Sequence, residues 1–126
     1  MKRLVLFVMA VMAFTGMSVA QDVYSSGYYK DGSNVYHAAV FKNGAKLWTW
    51  SGSSTSAHTS SDVDYYNGDV YWVDNAVSTS DGVFYYGDIV KNGSKYLENA
   101  TGSGAHIYAL ERSNLGTALF AIGCKK

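Results

Sequence analysis

Three short motifs occur twice in this chain at nearly the same spacing. Asp22-Val23-Tyr24 returns as Asp69-Val70-Tyr71, Lys42-Asn43-Gly44 as Lys91-Asn92-Gly93, and Ala57-His58 as Ala105-His106, at offsets of 47, 49 and 48 residues. A near-constant period of this size marks one supersecondary unit used more than once, and such a unit needs neighbours to bury its apolar face. No catalytic or cofactor motif accompanies the repeat. It therefore constrains architecture more tightly than chemistry.

The segments between the motifs read as strands. Beyond residue 20 the chain has no proline and is rich in Tyr, Val, Ser, Thr and Gly, in short β-branched and aromatic runs separated by turn dipeptides. That pattern predicts an all-β fold without helix. Asn43-Gly44, Asn67-Gly68 and Asn92-Gly93 each supply the two positive-φ residues of a type I′ hairpin turn, and Asp31-Gly32 and Asp81-Gly82 mark two longer turns. Nine strands are expected, at 22–29, 35–42, 45–50, 57–65, 69–75, 83–91, 94–98, 105–112 and 117–123. A third, partial unit follows the two full ones, with Gly116 matching Gly68 and Ala118-Leu119-Phe120 matching Val70-Tyr71-Trp72.

The first twenty residues have a basic start (Lys2, Arg3), an apolar run from Leu4 to Phe14 and a small-residue end at Ser18-Val19-Ala20. This is the three-part pattern of a cleaved secretory signal, and the apolar run falls short of the roughly 20 residues that span a bilayer. The expected organisation is a signal peptide at 1–20 and a single all-β repeat domain at 21–126, exported to the periplasm or the extracellular space. Cleavage removes two of the ten basic residues and none of the ten acidic ones, leaving a slightly negative chain. Nucleic acid is not an expected partner, nor is membrane insertion after cleavage. The single cysteine, Cys124, forbids an internal disulfide. It reads as a small apolar residue or as half of an intermolecular bridge.

Loop lengths set the phase of the repeat. Three of the four connections per unit are tight, whereas the fourth is a looser Ser/Gly stretch, at 51–56 and again at 99–104. A propeller blade has this pattern, because its outermost strand crosses back to the innermost strand of the next blade. On that phase one complete blade runs over 57–98, preceded by three strands without an inner partner and followed by two without outer ones. The succession of an Asp-Val-Tyr strand, a Tyr-rich strand, a Lys-Asn-Gly turn, a short strand and a Ser/Gly loop resembles the repeats of certain exported bacterial β-propeller-like proteins, mostly of unassigned function. The resemblance implies antiparallel meander repeats of about 48 residues, propeller-blade-like, in an incomplete propeller, since closure typically takes four to eight blades. A β-sandwich or open barrel built from the same strands is the alternative.

Few residues suggest chemistry. His58 and His106 occupy equivalent places beside the loose loops, near one mouth of a propeller axis, but two imidazoles do not make a zinc site and no metal or cofactor is expected. Asp62 and Asp64 are two apart on one expected strand, replaced by Leu110 and Arg112 in the second copy. With His58 they define the only hydrolase reading, an outlier, and the chain is expected to be no enzyme. The aromatic residues are more suggestive. Trp48 and Trp50 alternate on one strand and share a face, while Trp72 lies beside Tyr71, so those two face opposite ways. Trp48, Trp50, Trp72, His58 and His106 are the candidate ligand-binding residues, with space-filling between sheets as the competing role for the tryptophans. The expected function is an exported, noncatalytic binding module for a glycan or a surface protein. The alternative is a structural or self-assembling subunit that forms homo-oligomers.

Overall fold

The computed structural model describes residues 21–98, 104–113 and 118–125. The leader expected at 1–20, most of the second loose loop and Gly116 lie outside them. Among the described residues no helix is long and apolar enough to cross a membrane. The fold is all-β, and its sheets are antiparallel and open.

Among the described residues ten strands form three sheets. The first sheet is β1 (Tyr24–Lys30), β2 (Tyr36–Lys42) and β3 (Ala45–Trp50) in that order. The middle sheet contains β4 (Ser56–Thr59), β5 (Val63–Tyr66), β6 (Asp69–Ser78), β7 (Phe84–Lys91) and β8 (Ser94–Leu97), with β4 and β5 both pairing with β6. The last sheet is β9 (Ala105–Arg112) beside β10 (Leu119–Lys125). The strand expected at 57–65 is thus two strands, interrupted at 60–62. At the interruption the chain bonds to both neighbouring sheets. Ser60 N–H donates to Gly27 in the first sheet at 3.1 Å, and Ser61 Oγ donates to the Ile107 carbonyl in the last at 2.8 Å.

The hairpin turns are as their residues dictate. Asn43, Asn67 and Asn92 have φ of 52°, 50° and 49°, and the glycines that follow have φ of 81°, 89° and 79°. Asn tolerates the left-handed region and Gly enters it without steric cost, so each pair closes a two-residue turn. Asp31 Oδ1 accepts from Ser33 and Val35 N–H at 2.8 and 2.9 Å, and Asp81 Oδ1 accepts from Val83 N–H at 3.0 Å, which closes the two longer turns.

Each repeat also carries the same bulge. The pairing of β2 with β3 slips between Val40 and Phe41, and that of β7 with β8 slips between Ile89 and Val90, one period later.

The middle sheet is covered on both faces. Val70, Trp72 and Val90 pack with Ala38 and Val40 of the first sheet, flanked by Tyr24, Trp48, Trp50 and Val63. Tyr71, Val73 and Ile89 pack with Ile107 and Leu110 of the last sheet, flanked by Tyr66 and Leu119. Tyr71 and Trp72 do face opposite ways, and both are buried. A strand buried on both faces reads as a near-continuous apolar run, as 70–73 does.

The third partial unit departs from the expected register. Leu119 reaches the core, whereas Phe120, the expected counterpart of Trp72, is 55 % exposed. A one-residue slip moves every side chain of a strand to the other face, and among the described residues β10 has β9 as its one strand partner.

Candidate functional site

The repeated motifs build a clasp. Lys42 Nζ lies 2.8 Å from Asp22 Oδ2, Asn43 Nδ2 donates to Asp22 Oδ1 at 3.0 Å, and Asn43 Oδ1 accepts from Val23 N–H at 2.9 Å. In the second copy Lys91 Nζ lies 2.8 Å from Asp69 Oδ2, Asn92 Nδ2 donates to Asp69 Oδ1 at 2.7 Å, and Asn92 Oδ1 accepts from Val70 N–H at 2.9 Å. The Lys42 and Lys91 hydrogen bonds hold the Asp22 and Asp69 carboxyls below their ordinary range. Each lysine also lies over the ring of its motif tyrosine, Tyr24 or Tyr71. The shared residues are thus spent on tying the start of one strand to the end of the next hairpin.

Of the tryptophans, Trp72 is fully buried between the first and middle sheets and offers no surface to a ligand. Its indole Nε1 has no hydrogen-bond partner among the described residues. Trp48 and Trp50 are half-buried against the same cluster. A Cβ built on Gly93 would meet the Trp48 ring at 2.6 Å, so the second Lys-Asn-Gly turn sits directly on that indole.

The two equivalent histidines have different surroundings. His58, 6 % exposed, places Nδ1 2.9 Å from both carboxylate oxygens of Asp74. Asp74 is fully buried, and Asp88 stands directly opposite it on β7, ion-paired with Lys95 at 3.0 Å. Burial raises the Asp74 carboxyl, the His58 hydrogen bond opposes this, and the Asp88 charge adds to it. Burial draws the Lys95 ammonium down, but its contacts with Asp88 and Glu98 outweigh this and leave it raised. His58, Asp74, Asp88 and Lys95 thus form a polar row across the middle sheet. His106 instead stacks on Phe84 with ring centroids 3.9 Å apart, meets the Tyr108 ring edge-on, and lies 4.0 Å from Cys124 Sγ. The pair does not converge on a common point.

Asp62 and Asp64 are likewise engaged. Asp62 Oδ2 accepts from Leu110 N–H at 2.8 Å, and Arg112 Nε donates to Asp64 Oδ2 at 3.2 Å. A second Arg112 nitrogen reaches Asp64 and the Tyr65 carbonyl. The carboxylates that replace Leu110 and Arg112 in the first copy therefore bind those same two residues. Among the described residues no group of three or more His, Cys, Asp or Glu could hold a metal ion.

Among the described residues a cleft of about 290 Å³ lies between the middle and last sheets, lined by Tyr66, Tyr71, Ile89, Tyr96, Leu97, Ala118 and Leu119. Tyr96 meets Tyr71 edge-on at 5.6 Å and is 62 % exposed, and Leu97 is 50 % exposed. Among the described residues two strands cover a sheet that is four strand positions wide, which leaves the cleft open. Tyr66 and Tyr96 had no motif to single them out, and Tyr71 belongs to the Asp-Val-Tyr motif that is read as structural. The signal was the partial third unit, which among the described residues leaves the outer half of the second without a covering strand. No family model, curated protein or solved structure matches this chain.

Proposed function

We propose that the chain is an exported, noncatalytic binding module for a glycan or a surface protein, with the tyrosine-lined cleft as its recognition surface. The observation that carries this reading is the convergence of three tyrosines with Ile89, Leu97 and Leu119 on one open cleft. Flat apolar faces with a hydroxyl edge suit sugar rings and protein partners alike. The groups that could have carried hydrolysis support a noncatalytic role, because Asp62, Asp64 and His58 are each held by a protein partner. Export rests on the basic, apolar and small-residue succession of residues 1–20. We read the three sheets as successive units of an incomplete propeller, the middle one complete, in keeping with the shared clasps and bulges. The test is a paired glycan array and peptide array probed with the chain from Gln21 onward. Selective hits on either are expected, and none on both would refute the reading.

A second reading, a self-assembling subunit, is favoured by the sheet edges. The first sheet has three strands and the last two, so strands of both have an edge without a strand partner among the described residues. Such edges are templates for another chain. Light scattering on the reduced protein tests it: a strict monomer at high micromolar concentration would exclude assembly.

A further inference from the structure

Resting on the cleft being the recognition surface, we propose that its occupant is an extended polypeptide strand of another protein, added to the free edge of β10. β10 pairs with β9 on one side and with no strand on the other among the described residues. That open backbone edge borders the cleft, since Leu119 belongs to both. An unpaired edge beside an apolar cleft is the arrangement for strand addition, in which main-chain hydrogen bonds give affinity and alternate side chains fill pockets. A sugar would use the aromatic faces and leave the edge unpaired.

The preceding repeat shows what fits. There Tyr24, Val40 and Trp48 are covered by the middle sheet, with Val90 of β7 in the cluster and the turn at Gly93 against Trp48. Their counterparts one period on are Tyr71, Ile89 and Leu97, all of which line the cleft. β10 follows β9 as β6 follows β5, so the vacant position beside β10 corresponds to that of β7. The partner strand therefore carries an aliphatic residue where Val90 stands and presents it toward Ile89. Thr117 replaces the motif aspartate, so the partner does not need the Lys-Asn-Gly sequence.

The probe is a synthetic peptide of this chain's residues 83–98, the β7–β8 hairpin that fills the equivalent place. Two further versions are N-methylated at alternate residues of the β7 half, one on odd and one on even positions. In an antiparallel pair only alternate N–H groups face the neighbouring strand. The parent peptide and one methylated version should bind, the other should lose at least tenfold in affinity, and binding should slow amide exchange at residues 119–123. Equal behaviour of the two methylated versions, or unchanged exchange in β10, overturns strand addition. Glycan hits that compete at the cleft without protecting β10 would overturn it while leaving the binding reading intact, whereas no ligand of either kind defeats both. The free protein should remain monomeric, and a dimer with β10 amides already protected would assign the edge to a second copy and refute the proposal.

Discussion

Arg112 grips Asp64, the residue that stands in its own place one repeat earlier, 48 positions back. Asp62 does the same for Leu110, whose N–H it accepts at 2.8 Å across the same 48-residue interval. At 64 and 112 the two copies diverge where they touch, so divergence supplies an ion pair that two identical residues could not make.

Asp62→Ala should therefore cost about 1–3 kcal/mol, because a part-buried backbone N–H loses its acceptor. Asp64→Ala should cost less, since its partner Arg112 is exposed and solvates readily. Chemical denaturation of both variants gives the order, and the reverse order would contradict the assignment.

The Lys-Asn-Gly turns are alike in backbone but not in surroundings. Val at either Gly44 or Gly93 forces a β-branched residue to positive φ, a cost of about 1–2 kcal/mol. At Gly93 the new side chain also strikes Trp48, whereas a Cβ at Gly44 meets nothing within 4 Å. Gly93→Val should melt well below Gly44→Val. Melts equal to the parent at both sites would refute the type I′ assignment.

Truncating the tryptophans separates packing from binding. Trp72→Ala should destabilise by about 3–5 kcal/mol, with Trp48→Ala and Trp50→Ala costing less because both rings are half-exposed. A Trp72→Ala protein as stable as the parent would place that ring outside the core.

Asp74 sets a pH signature opposite to that of the clasp aspartates. Its folded carboxyl binds a proton more readily than its unfolded one, so its contribution to stability is full below 3.8 and is lost as pH rises through the folded value. Asp22 and Asp69, held low by their lysines, contribute stability above 3.8 that is lost as pH falls through their folded values. The stability of the parent minus that of Asp74→Asn should therefore fall as pH is raised above 3.8. A flat or rising difference would contradict the burial argument.

Much of this fold was legible because it is locally dictated. Asn43, Asn67 and Asn92 announce turns through the conformations that only Asn and Gly enter easily, and the strands at 45–50 and 105–112 fall at the expected residues. What was illegible depends on neighbours. The break at 60–62 coincides with hydrogen bonds to two other sheets, and β10, which carries the exposed Phe120, has β9 as its one strand partner among the described residues. No sequence signal marks Asp74 and Asp88 as buried, because their burial depends on cover over both faces of the middle sheet. The surroundings of the candidate residues were illegible for the same reason. Trp72 sits in an interface between units, whereas Tyr96 stands where a unit ends.

Tyr96→Ala offers the most direct measurement of the claim that the cleft is the recognition surface. The side chain is 62 % exposed and lies on an outer strand, so its loss should leave the thermal melt within a few degrees of the parent. Ligands found on the glycan and peptide arrays should lose at least tenfold in affinity for this variant. Full affinity in a variant that melts like the parent would contradict the account.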